Sequence, residues 1–162
     1  MRNKATLETL HLDLRGQFCP ATGFLAKLMP NFPLFSVLRH LSINILPLYL
    51  AGVADEEPVC SYGLLLDQLL PQSLVSLRLA DNTSQPWVLA QLGRDIARLR
   101  ESVSNGEFPL LRKIRIDTEP RLDDRTLPDT FASLGVDFRY CFWAHGHTRL
   151  YTEGGGLCRR RK

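Results

Sequence analysis

The chain has few of the signals that announce an enzyme or a membrane protein. It contains no G-x-S-x-G elbow, no G-x-x-x-x-G-K-[ST] phosphate loop and no G-x-G-x-x-G turn, so it offers no nucleophile turn and no nucleotide cradle. Its four cysteines, Cys19, Cys60, Cys141 and Cys158, include no C-x-x-C pair. Such scatter in a chain of 162 residues argues against a disulfide scaffold and for a reducing compartment. Long apolar runs are also missing. "INILPLYLAGVA" (Ile43 to Ala54) is too short, and too broken by Pro47, to span a bilayer. "MRNKATLETL" at the start lacks the apolar core of a secretion signal. Together these absences predict a protein of the cytoplasm or nucleus, away from the membrane. No cofactor is expected.

A basic body is lacking too. The net charge is +3, but Arg159, Arg160, Arg161 and Lys162 carry four positive charges between them, which leaves the rest of the chain at −1. Overall charge therefore argues against nucleic acid as a partner. Hydrophobic residues make up 44% of the chain, enough to build a core rather than remain disordered.

What the chain does have is one phrase written four times. "LETLHLDL" begins at Leu7, "LRHLSINI" at Leu38, "LVSLRLAD" at Leu74 and "LRKIRIDT" at Leu111, at intervals of 31, 36 and 37 residues. Each copy follows L-x-x-L-x-L, with Ile for some of the leucines. The recurring pairs are Leu10 and Leu12, Leu41 and Ile43, Leu77 and Leu79, and Ile114 and Ile116. Alternation with period two predicts a strand with one buried face. "LGVDFRY" (Leu134 to Tyr140) reads as a fifth, weaker copy, with Val136 and Phe138 pointing inward.

Helical segments are predicted between the strands. They cover Gly23 to Met29, ending at Pro30, and Ser61 to Leu70, ending at Pro71. The clearest runs from Pro86 to about Val103, where Val88, Leu92, Ile96, Leu99 and Val103 form one apolar stripe. Ser84 is its expected cap, and Ser104 to Gly106 its stop. A last helix, "PDTFASL", closes at Gly135. Strands joined by helical crossovers pair in parallel. Units of this length bury their apolar faces only by stacking on one another, which predicts an open right-handed solenoid of β–α units. Residues 1–150 form the domain in this scheme, and residues 151–162 a Gly-rich basic tail.

The L-x-x-L-x-L phrase followed by a helix resembles a leucine-rich repeat. "LLPQSLVSLRLADN" and "FPLLRKIRID" resemble the repeat regions of fungal F-box and leucine-rich-repeat proteins, over roughly Ala5 to Tyr140. The resemblance implies a non-catalytic binding module, with substrate recognition for a cullin-type ubiquitin ligase as its role and the F-box lying outside this chain.

In such a fold the concave sheet face presents the x positions. The expected first column is Thr9, His40, Ser76, Lys113 and Gly135; the central column His11, Ser42, Arg78, Arg115 and Asp137; the third Asp13, Asn44, Ala80, Asp117 and Arg139. One account of these polar columns is an ordinary solvated sheet face. The other is a partner-binding surface, on which Arg78, Lys113, Arg115 and Arg139 would grip the carboxylates or phosphates of a protein or peptide ligand. The alternative is that Asp117 and Asp137 neutralise that patch internally.

Three further constellations compete. Cys141, His145, His147 and Cys158 are spaced C-x3-H-x-H-x10-C, a donor set for tetrahedral zinc that matches no standard finger, so a terminal strand and loop is the stronger expectation. Cys141 with His145 also reads as a nucleophile and base for a small cysteine or metal-dependent hydrolase, without a third orienting group. Ser42, His11 and Asp13 make a hydrolase set on paper, without the sharp turn such a serine needs. The basic tail is a candidate contact to nucleic acid.

Overall fold

The computed structural model describes residues 5–12, 29–45, 49, 66–80, 86–118, 122 and 124–141. Among these residues five strands carry the fold: β1 (Thr9–Leu12), β2 (His40–Asn44), β3 (Ser76–Ala80), β4 (Lys113–Asp117) and β5 (Asp137–Tyr140). They form one sheet in sequence order, every neighbouring pair parallel. A 3-10 helix, η1 (Met29–Leu34), precedes β2; α1 (Leu66–Leu69) precedes β3; α2 (Pro86–Ser104) precedes β4; and α3 (Leu127–Ser133) precedes β5. The chain is thus an α/β protein with a five-stranded parallel sheet.

The repeated phrase explains the register. Leu10, Leu41, Leu77, Ile114 and Phe138 stand opposite one another across the sheet, and Leu12, Ile43, Leu79, Ile116 and Tyr140 form a second row. Leu38, Leu74 and Leu111, the leading residues of three copies, are wholly buried just ahead of their strands. A tight turn delivers each of them: the amides of Leu38, Leu74 and Leu111 donate to the carbonyls of Phe35, Pro71 and Phe108. A one-residue slip would turn every one of these side chains to the other face, so the apolar rows pin the pairing. Each fully buried leucine or isoleucine stabilises the fold by roughly 1.5–3 kcal/mol.

The α2 stripe has its expected extent. Val88, Leu92, Ile96 and Leu99 are fully buried, and Val103 is half-buried at the last turn. The helix ends in a Schellman motif: Glu107 donates to the Ser102 carbonyl and Gly106 to that of Val103, with Gly106 at φ +80°. The same device closes α3. Val136 donates to Phe131, Gly135 donates to Ala132, and Gly135 lies at φ +75°. At the other end of α3, the Asp124 carboxylate accepts from both the amide and the hydroxyl of Thr126.

Other expectations change. The helix predicted to stop at Pro30 lies mostly outside the described residues, and the chain continues through Pro30 as η1, which also contains Pro33. Only Leu66 to Leu69 of the Ser61 to Leu70 segment is described as helix. Ser61 and Ser84, the expected caps, fall outside the described residues, as does the tail from residue 151. The fifth strand is displaced by two positions. Gly135 does not occupy the first column, because its left-handed backbone is used to end α3. Asp137 takes that place instead, opposite Lys113, and Arg139 moves to the central column, opposite Arg115. Phe138 then faces inward beside Tyr140, stacked on Phe131 with ring centroids 5.1 Å apart.

Candidate functional site

The apolar rows turn the intervening residues to the opposite face. Along the strand starts run Thr9, His40, Ser76, Lys113 and Asp137, and along the centres His11, Ser42, Arg78, Arg115 and Arg139. Adjacent strands lie about 4.8 Å apart, so Arg78, Arg115 and Arg139 form a row of three guanidinium groups on consecutive strands. Thr9, His11, Lys113, Asp137 and Arg139 are exposed, while His40, Ser42, Ser76, Arg78 and Arg115 are half-buried.

The third column lies on the same side of the sheet but is largely covered, with Ala80 half-buried. Asn44 is 5% exposed and Asp117 only 1%, and Asp13 lies outside the described residues. Asp117 alternates with Ile114 and Ile116 and so lies on the side of Lys113 and Arg115, where the neighbouring strand pairs a cation with it. Arg78 donates from Nε to Asp117 Oδ2 at 2.7 Å, and its Nη2 contacts the same oxygen. A carboxylate this deep needs such a partner, since an unpaired buried charge is costly. Arg78 itself keeps 30% of its side chain exposed.

Asp137 is the hub of the exposed charges. Arg115 Nη2 donates to its Oδ2 at 2.9 Å, and Arg139 Nε to its Oδ1 at 2.8 Å. Those two hydrogen bonds, that of Arg115 foremost, hold the Asp137 carboxyl below the usual carboxylate range. Arg115 is fixed from a second side, because Nη1 donates to the carbonyls of Ile114 and Asp137, each at 3.2 Å. Lys113 stands opposite Asp137 in register. These pairs are contacts of the kind the neutralisation by Asp117 and Asp137 calls for. Among the described residues, Arg78, Lys113, Arg115 and Arg139 are accompanied on this side of the sheet by two carboxylates, Asp117 and Asp137.

Cys141 follows β5 and is half-buried, its amide donating to the Ile116 carbonyl. Burial first, then the negative charge of Asp117, pushes its thiol pKa up. That is the reverse of what an activated nucleophile requires. His145, His147 and Cys158 lie outside the described residues. No group of three metal-ligating side chains occurs among the described residues. His11 and Ser42 stand opposite each other in register, but the Asp13 of that paper triad is not described.

A separate cavity of about 450 Å³ opens near the turns that lead into β2, β3 and β4, lined among others by Pro33, Asp67, Pro71, Ser73 and Phe108. No helix among the described residues is long and apolar enough to cross a membrane.

The sequence reading missed the Asp137 hub and the position of Arg139 in the guanidinium row. The signal was present. A glycine that ends a helix at positive φ is no strand residue, so the next strand begins after it, and Arg139 then falls opposite Arg115. Comparison with protein-family models, with curated proteins and with solved structures gave no match.

Proposed function

We propose that the chain is a non-catalytic protein-interaction module: an open right-handed, leucine-rich-repeat-like solenoid of β–α units that offers its polar sheet face to an anionic segment of a partner protein. One observation carries this reading, the guanidinium row Arg78–Arg115–Arg139 flanked by Lys113, on a sheet whose other face supplies the apolar core from β2 to β4. Three adjacent guanidinium groups are electrostatically expensive unless anions meet them, and among the described residues two carboxylates stand beside four cations. The three turn-and-leucine approaches to β2, β3 and β4, together with the two Schellman caps, favour a true structural repeat. The resemblance to fungal F-box and leucine-rich-repeat proteins extends the proposal to capture of a ubiquitin-ligase substrate in the cytoplasm or nucleus.

The test must leave the buried pair alone, since removing Arg78 would strand Asp117 and unfold as readily as it would unbind. Lys113 and Arg139 are exposed and suit charge reversal. Fluorescence anisotropy with a labelled octaglutamate peptide should show binding to the parent and at least about tenfold weaker binding to Lys113→Glu/Arg139→Glu, a difference of about 1.4 kcal/mol. A variant lacking Gly154 to Lys162 should bind as the parent does. If deleting the tail abolishes binding while charge reversal leaves it intact, the sheet face is not the site.

A further inference from the structure

We propose that Asp137 is a built-in competitor for the anion subsite of Lys113, Arg115 and Arg139, and that it thereby selects a phosphomonoester on a partner peptide over a side-chain carboxylate. The inference rests on the sheet face being the interaction surface, and adds which anion that surface prefers.

The two aspartates on this face play different parts. Asp117 is buried and holds Arg78. Asp137 leaves 44% of its side chain exposed and makes both of its side-chain ion pairs at the surface, with Arg115 and Arg139. Asp137 is therefore reachable from solvent, as Asp117 is not, and its two oxygens take the outward donors an arriving anion would use. Arg115 is only 14% exposed and is held by two backbone carbonyls, so its remaining Nη2 donor is already oriented toward whatever anion sits at the Asp137 position.

A partner carboxylate is chemically the same as the one it must displace. The resident group is tethered, and tethering gives it an effective concentration of order millimolar or more. An incoming glutamate consequently gains little. A phosphomonoester brings about −1.5 to −2 charge and three acceptor oxygens. It can accept from Arg115, Arg139 and Lys113 together, where a carboxylate offers two oxygens. Selectivity of this kind comes from an element built against the wrong ligand as much as from attraction to the right one.

The experiment uses three glycine-alanine octapeptides that differ only at one central residue, phosphoserine, glutamate or serine, titrated against the full chain. The readout is the NMR signal of the Nε–H groups of Arg115 and Arg139. In the parent, the phosphoserine peptide should shift both signals with a Kd at least about tenfold lower than the glutamate peptide, and the serine peptide should shift neither. In Asp137→Asn, the glutamate peptide should bind about tenfold tighter than it does to the parent, which narrows the gap. Equal affinity of the glutamate peptide for parent and variant overturns the role of Asp137 and leaves the sheet-face reading standing. Absence of any shift in both signals, with all three peptides and both proteins, overturns the two together.

Discussion

At the scale of single residues, the polar groups that matter were legible only where their partners are close in sequence or in register. Asp95 shows the limit. It lies beside Ile96 on the buried side of α2 and is 1% exposed, yet no local pattern marks it as anything but a helix-surface carboxylate. What admits it is Tyr49, 46 residues away, whose hydroxyl donates to Oδ2 at 2.8 Å, together with Gln91, which donates to Oδ1 at 2.9 Å. These donors offset only part of the desolvation, and burial leaves the Asp95 pKa above its ordinary value. The native state then binds a proton more tightly than the unfolded chain does. The resulting stabilisation is complete below the unfolded pKa and is lost as pH rises through the folded one. Asp95→Asn keeps an acceptor for Tyr49 and carries no charge to desolvate. Urea denaturation of both proteins between pH 4 and pH 7 should find that the variant gains stability relative to the parent as pH rises. A constant difference across that range would mean that Asp95 is not desolvated as described.

At the scale of elements, legibility followed periodicity. The α2 stripe was readable because each of its apolar residues is three or four positions from the next, so the signal is complete within the segment. The first four strands were readable for the same reason at period two. β5 was readable as a strand with Val136 and Phe138 inward, but its register was not, because that depends on how the preceding helix ends. The Schellman cap at Gly135 consumes the position that a leucine holds in the other copies, and the strand starts at Asp137. Gly106 and Gly135 are thus the two hinges that aim β4 and β5. Nothing lies within 4 Å of where a Cβ would sit on either, so replacing them with alanine tests backbone conformation alone. Each substitution should destabilise the fold by about 1–2 kcal/mol, the usual penalty of a left-handed residue bearing a Cβ. Gly93, inside α2 with equally open space around it, is the internal control: Gly93→Ala should stabilise by roughly 0.5–1 kcal/mol. Thermal unfolding of the three variants gives the comparison. A loss at Gly93 matching those at the caps would remove the conformational explanation.

At the scale of the whole molecule, the repeated phrase foretold a parallel sheet in sequence order but not its depth. The third column, read as surface, includes Asn44 and Asp117 in the interior, because alternation along a strand fixes which face a residue takes and not what the rest of the chain lays over that face. The apolar side is uneven as well. Leu41, Leu77 and Ile114 have at most 2% exposure, while Leu10, in the same row on the edge strand β1, is only partly buried. In the strand order a central residue packs against a neighbour on either side and Leu10 against one. The penalty for truncation should follow that difference. Leu77→Ala leaves a cavity enclosed by both adjacent strands and the helical layer, and should cost about 2–5 kcal/mol. Leu10→Ala removes the same atoms from a site with one strand neighbour, where part of the side chain's surface is still open, so its loss should fall below that range. Denaturant midpoints at constant m would report the difference directly. Equal losses at the two positions would mean that the sheet does not behave as a row of units leaning on their neighbours, and the repeat-based account of the fold would fail with it.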